Sequence, residues 1–197
     1  GRPLEEYIPE LIKTDMVALP FLNGVCLAEA LPFQDATISS IFLVNVLHHL
    51  RDPESFFSEA ARVLVTGGRI VMLEPTVTPF SRIVYRFVHS EPFDPMAKEW
   101  GFSARGRISG GNNALAWIIL YRDILRFKKE FPMFRVRRRS QIDFAMHLFS
   151  GGVTTRNLLP LKGLWILRGV ETALSPLMGF LALFQLVVLE KTDEFEF

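Results

Sequence analysis

Two adjacent histidines and a glutamate are the residues of this sequence best suited to proton transfer. His48 and His49 follow an apolar run over residues 38–47, and Glu74 ends the next such run, directly before Pro75. Histidine is the commonest general base where a substrate hydroxyl must lose its proton, which makes His49 a candidate catalytic residue. Glu74 is a second candidate, because site residues are common at the end of a central strand. Two simpler interpretations stay open: a partly buried histidine pair at a helix entrance, and a glutamate that assists a helix N-cap.

Metal-ligand spacing is not visible in the sequence. His89 and His147 lie far from the histidine pair along the chain, so we predict no metal site. The single cysteine, Cys26, excludes an internal disulfide framework. It fits a reducing compartment, and we therefore expect a cytoplasmic location.

The composition is that of one packed domain. The chain has 197 residues, of which 49% are hydrophobic and 22% charged, which argues against wholesale disorder. A formal net charge of +1 gives no overall attraction to nucleic acid. The basic run at Arg135 and residues 137–139 is interpreted as an exposed strand face that opposes aggregation. Nucleic-acid binding by this run is the minority alternative.

No segment is predicted to span a membrane. The most apolar stretch, residues 158–189, is interrupted by charged residues and by Pro176. Its longest uninterrupted part is shorter than the roughly 20 residues that a spanning helix requires. A helix that covers the sheet is the favoured interpretation of residues 158–178, and peripheral contact with a membrane is the alternative.

Short apolar runs that alternate with helical patterns indicate a parallel α/β sheet. Asp52-Pro53-Glu54 predicts the start of one helix, because Asp caps a helix and Pro fits its first turn. The glycines Gly67-Gly68 predict a tight reversal after it. Strands are predicted at residues 11–17, 25–28, 38–47, 69–73, 134–144 and 182–191, and further helices at residues 3–10, 80–89, 112–131 and 164–178.

Three short stretches share the order and spacing of the motifs of a known enzyme family. They are AEALPF at residues 28–33, NVLHHL at residues 45–50, and EAARVL at residues 59–64 followed by GGR. Together they resemble the type 11 family of class I S-adenosylmethionine (SAM)-dependent methyltransferases. The resemblance implies a Rossmann-like α/β fold, with a seven-stranded, mostly parallel sheet and an antiparallel last strand.

The resemblance also implies a cofactor site for SAM at the carboxyl ends of the strands. It implies that Asp15 binds the ribose hydroxyls, with a turn-forming role as the alternative. Leu27, Ala28 and Glu29 would lie beside the adenine, and Asn45 would face the methionine half of SAM. The implied reaction is an in-line displacement in which an acceptor atom attacks the methyl group of the sulfonium, and the protein mainly orients the reactants.

The sequence departs from the family at two cofactor positions. The Gly-rich loop after the first strand is absent, and at most Gly1 is its last glycine. Leu27 stands where the family has an Asp that contacts the adenine amine. We therefore expect residues 1–197 to be a single methyltransferase domain without its first strand, cut from a longer protein. The alternative function is a non-catalytic remnant or partner subunit that does not bind SAM.

Residues 76–133 are expected to form a substrate-cap insertion. Its polar and aromatic side chains are candidates for binding a small-molecule acceptor, although a place in a satellite core is the simpler interpretation of each one. These candidates are Tyr85, His89, Glu91, Asp94 and Trp100. The acceptor itself is not readable, because this fold hosts many acceptors.

Overall fold

The computed structural model describes residues 6–89, 91–101, 111–144 and 161–193. In these ranges six strands form two sheets. The smaller sheet pairs β1 (Thr14–Asp15) with β2 (Gly24–Val25) in parallel. The larger sheet has the order β3-β4-β6-β5. Its strands are β3 (Ile38–Val44), β4 (Leu64–Pro75), β5 (Phe134–Ile142) and β6 (Phe184–Lys191).

The strand directions confirm the α/β fold with an antiparallel last strand. β3 and β4 run parallel, and β6 runs antiparallel to both β4 and β5. All six predicted strands are present, but β1 and β2 have two residues each and pair only with one another among the described residues. β3 is therefore an edge strand of the larger sheet, and its last residue, Val44, is 50% exposed.

Helix α1 (Pro53–Val63) begins as the sequence predicts. The Asp52 carboxylate accepts a hydrogen bond from the Ser55 amide at 3.0 Å, and Pro53 occupies the first turn. The predicted reversal at the glycine pair is different in detail, because β4 begins directly after the helix. Gly67 adopts a φ of 79° inside β4, where the pairing with β3 shifts register. Only glycine adopts that conformation at little cost.

The remaining helices agree with the predicted ones in place but are shorter or interrupted. Thr78 and Ser81 form a capping box at the start of α2 (Pro79–Phe87). The helix predicted over residues 112–131 is broken into α3 (Leu115–Trp117), a π-helical turn (Ile118–Arg122) and α4 (Ile124–Glu130). The helix predicted over residues 164–178 is α5 (Leu161–Ala173), followed by a 3-10 turn (Ser175–Leu177), and a short helix α6 (Met178–Leu181) comes after it. The helix predicted at residues 3–10 lies partly outside the described residues.

One aromatic cluster holds α1 and α4 against the sheet. The Phe57 ring lies 4.9 Å from Phe127, 5.3 Å from Phe131 and 6.4 Å from Phe134, measured between centroids. These rings are buried with Ile70 of β4 in the main core. Residues 114–131 therefore contribute to that core, while the cap insertion over residues 76–133 stays a prediction. No helix in the described part of the chain is long and apolar enough to cross a membrane.

Candidate active site

A cavity of about 130 Å³ lies beside the carboxyl ends of β3 and β4. Five of the residues that the sequence predicts for the site line it: Asn45, His49, Tyr85, His89 and Glu91. Its other lining residues are His48, Pro75, Asn113 and Phe184. Residues from both halves of the chain thus meet at the edge of the sheet where parallel folds bind their ligands.

A turn at Asn45 directs the histidine pair into this cavity. Asn45 has a φ of 56°, a conformation that asparagine tolerates better than most residues. Its amide donates to the Leu73 carbonyl at 3.0 Å, which ties the turn to β4. The chain then enters a one-turn 3-10 helix (Leu47–His49) that carries both histidines.

Glu74 fixes the entrance of that 3-10 helix. Its carboxylate is 1% exposed, and one oxygen accepts from the amides of Val46 and Leu47, each at 2.8 Å. The other oxygen lies 2.6 Å from Nδ1 of His48. An ionised carboxylate can accept all three of these bonds. This is the arrangement of the N-cap interpretation, and a catalytic role for Glu74 stays a prediction.

The contact with Glu74 also sets the tautomer of His48. Because Nδ1 donates to the carboxylate, a neutral His48 ring carries its lone pair on Nε2. That nitrogen lies 3.7 Å from Oε2 of Glu91. His48 is 2% exposed, so the ring is held in one orientation by packing as well as by the hydrogen bond.

His49 also lies close to Glu91, through its Nε2 atom. Its Nε2 lies 3.9 Å from Oε1 of Glu91, and its ring centroid is 4.0 Å from that of His48. The His49 Nδ1 atom is buried and has no hydrogen-bond partner among the described residues. Burial lowers the pKa of His49, and the neighbouring His48 lowers it further, while Glu91 opposes both effects. His49 is therefore neutral at pH 7, the form that accepts a proton.

The backbone at Gly111 lies close to the histidine pair. A Cβ atom at Gly111 would lie 2.6 Å from the His48 carbonyl oxygen and 2.7 Å from Nδ1 of His49. The next amide, that of Asn112, donates to the same carbonyl at 2.9 Å. Any side chain at this position would have to displace the pair.

We expect Gly111→Ala in the full-length protein to lower the free energy of unfolding by about 1–3 kcal/mol, since it overpacks a tight contact. A thermal melt followed by circular dichroism measures this loss. Gly169→Ala is the matched control, because a Cβ atom at Gly169 would meet no other atom within 4 Å and the residue is inside α5. The control should raise stability by roughly 0.5–1 kcal/mol. Equal effects of the two variants would contradict the tight contact at Gly111.

Two of the predicted acceptor-binding residues use their polar groups elsewhere. The Tyr85 hydroxyl donates to the Leu183 carbonyl at 2.7 Å, and burial raises the pKa of Tyr85. Tyr85 therefore shapes the cavity wall with its ring. Trp100 does not line the cavity, because it is 2% exposed in the main core and its Nε1 donates to Asp123 at 2.9 Å.

Of the predicted cofactor residues that the structure describes, Asn45 lines the cavity and Asp15, Leu27, Ala28 and Glu29 do not. Asp15 ends β1, is exposed, and accepts from the Val17 amide at 3.0 Å, which is the turn-forming contact. Leu27 is 52% exposed and Ala28 packs against the main core. Glu29 is half-buried. Gly1 and His147 lie outside the described residues.

The sequence reasoning missed Asn113. This residue is 1% exposed, and its amide donates to Oε2 of Glu91 at 3.3 Å. It thereby helps to hold the glutamate that faces both histidines. No local pattern could have identified it, because the two residues are 22 positions apart and join only through the fold.

Comparison with known proteins agrees with this fold and with the three sequence motifs. Residues 6–72 match a family model described as "Methyltransferase domain". Over 64 residues, 32% of this chain, the sequence is 41% identical to the ubiquinone/menaquinone biosynthesis C-methyltransferase UbiE of Desulfotalea psychrophila. Over 63 residues, 29% of this chain, it is 38% identical to the demethylmenaquinone methyltransferase of Tropheryma whipplei. Each aligned segment covers 26% of the relative's length.

A solved structure shares the fold over almost the whole chain. It is that of a candidate methyltransferase from Bacillus halodurans, which superposes with a TM-score of 0.50 at 16% identity and covers 96% of this chain and 86% of its own. All three motifs, between residues 28 and 69, lie inside the matched range of residues 6–72. Residues 6–72 are therefore similar to the methyltransferase domain family, and the chain has a Rossmann-like methyltransferase fold.

Proposed function

We propose that the protein transfers a methyl group from SAM to a small-molecule acceptor, with His49 as the base for the acceptor's proton. The observation that carries this proposal is the histidine pair, held by Glu74 at the carboxyl ends of β3 and β4, inside a segment that matches a methyltransferase family. In this step the acceptor atom forms a bond to the methyl carbon as the carbon–sulfur bond breaks. SAM would supply the activated methyl group and become a neutral thioether, and Nε2 of His49 would accept the acceptor's proton.

Catalysis by this arrangement would come mainly from orientation. SAM is already activated for displacement, so the protein needs to align the acceptor and exclude water. A base is needed only where the attacking atom is protonated at working pH. The buried Glu74–His48 pair positions the turn that carries His49. The cytoplasmic location stays a prediction, and peripheral membrane contact stays the alternative interpretation of residues 158–178. The acceptor is a small molecule in this proposal, without a more specific identity.

Cofactor binding through Asp15 has a direct test. If Asp15 accepts two ribose hydrogen bonds, Asp15→Ala in the full-length protein should weaken SAM binding by roughly 1.5–3 kcal/mol, the range for bonds to a charged group. Calorimetric titration with SAM or its demethylated product measures the change. Asp35→Ala is a matched control, since Asp35 is an exposed aspartate whose partner is Arg62. Unchanged affinity in Asp15→Ala would return Asp15 to the turn-forming role alone.

A non-catalytic scaffold is the second candidate function. It is favoured by Leu27, which offers no carboxylate to the adenine amine. If SAM does bind, backbone groups of Ala28 and Glu29 would contact the adenine in place of that carboxylate. The titration above separates the two candidates, because a scaffold that has lost its cofactor site shows no saturable binding of SAM.

A further inference from the structure

We propose that His48, His49 and Glu91 bind a divalent first-row transition-metal ion, of which Zn²⁺ is the representative. One potential ligand atom of each residue lies within 4.8 Å of the other two. The sequence predicts no metal site, since no metal-ligand spacing is visible in it. Glu91 belongs to a different segment from the histidine pair, and the fold brings the three residues together.

The distances approach those around a single ion. In a tetrahedral Zn²⁺ site, bonds of about 2.0–2.1 Å to nitrogen and oxygen place two ligand atoms about 3.3–3.4 Å apart. The Glu91 carboxylate oxygens lie 3.7 Å from Nε2 of His48 and 3.9 Å from Nε2 of His49, which is roughly half an ångström beyond that spacing. The Glu91 side chain is 32% exposed, so it has room for the small adjustment that coordination requires.

Outer contacts already orient the three ligands. The Glu74 carboxylate accepts a hydrogen bond from Nδ1–H of His48 at 2.6 Å, which leaves the Nε2 lone pair for the ion. A carboxylate behind a coordinating histidine is the usual arrangement in metal sites, where it fixes the tautomer and raises the basicity of the ligand. Asn113 supports Glu91 in the same way with a hydrogen bond at 3.3 Å.

The charge of the cluster favours a cation. Glu74 and Glu91 place two carboxylates around two imidazoles, and the described residues that line the cavity include no Lys or Arg. A donor set of two imidazoles and one carboxylate suits zinc, cobalt or iron(II), whereas magnesium and calcium prefer oxygen ligands alone.

Since the ion and an acceptor proton would use the same nitrogen of His49, the ion should oppose proton acceptance by that residue.

Cobalt absorption tests the site without any methyl donor. The full-length protein is treated with a chelator, desalted and titrated with Co²⁺, whose visible absorption reports nitrogen and oxygen coordination. We expect saturation near one ion per chain and displacement of Co²⁺ by Zn²⁺ but not by excess Mg²⁺. Glu91→Gln should abolish saturation over the same concentration range, because it removes the only carboxylate ligand. Glu74→Gln should weaken binding by about 10–100-fold, as removal of an outer contact does.

Glu99→Gln is the matched control for Glu91→Gln. It makes the same chemical change at an exposed glutamate of the same segment, outside the lining of the cavity. Circular dichroism melts establish that each variant is folded. Absence of saturable Co²⁺ binding, or equal binding by folded Glu91→Gln and Glu99→Gln, would overturn the proposal. Because neither SAM nor an acceptor takes part, this result is separate from success or failure of the methyl-transfer proposal.

Discussion

We expect His49→Ala in the full-length protein to lower turnover by about 10²–10⁴-fold, the usual contribution of a general base, and to leave SAM affinity nearly unchanged. The reason is the position of His49 on the cavity wall, with a lowered pKa that keeps its ring neutral. Turnover is measured with saturating SAM in the presence of a chelator, so that a bound metal ion does not compete for the ring. SAM affinity is measured separately by calorimetry.

His89→Ala is the matched control for this experiment. His89 lines the same cavity, yet it lies outside the cluster of His48, His49 and Glu91. We expect His89→Ala to raise KM for the acceptor without a comparable loss of turnover. A large loss of SAM binding in His49→Ala would make His49 a residue of the cofactor pocket. Full activity would leave the histidines as a buried pair at a helix entrance.

The second large effect concerns the central strand of the sheet. We expect the 197-residue chain alone to melt without cooperativity and not to bind SAM. An upstream extension that adds one strand and a Gly-rich loop should give cooperative melting and SAM binding. In this fold that strand would lie between β1 and β3. Among the described strands, β1 pairs only with β2 and β3 pairs only with β4.

The size of the effect follows from the backbone groups at those edges. Each buried group without a hydrogen bond costs roughly 1–3 kcal/mol, and a strand of about five residues leaves several of them. Native domains have only about 5–15 kcal/mol of net stability. Apolar residues near these two edges are also exposed to solvent: Ile12, just before β1, is 55% exposed, and Val44 of β3 is 50% exposed.

Circular dichroism melts of the short and extended chains, each with and without SAM, measure both properties. If the short chain melts cooperatively and SAM raises its midpoint, the fold has compensated for the strand in another way. The interpretation of this chain as a part of a domain would then be wrong.

The sequence predicted the strands and the class of fold because those depend on local patterns. Continuous apolar runs marked β3 and β4, and the Asp-Pro-Glu sequence at residues 52–54 marked the start of α1. The pairing of β1 with β2 as a separate sheet could not be predicted in this way. It depends on which backbone edges meet, and side-chain periodicity carries no information about that.

The candidate site was predictable only in part for a similar reason. The histidine pair and Glu74 stand at strand ends, so their meeting follows from the parallel arrangement of β3 and β4. Glu91 and Asn113 reach the same cavity from segments without regular periodicity. Trp100 shows the reverse situation, since an aromatic residue that the sequence offers as a candidate for the acceptor site is packed in the main core.

Titration of the full-length protein with SAM tests the central claim most directly. We predict saturable calorimetric binding of one SAM per chain, accompanied by a rise in the thermal midpoint. A folded full-length protein that shows neither heat of binding nor a shifted midpoint would contradict a SAM-dependent methyltransferase.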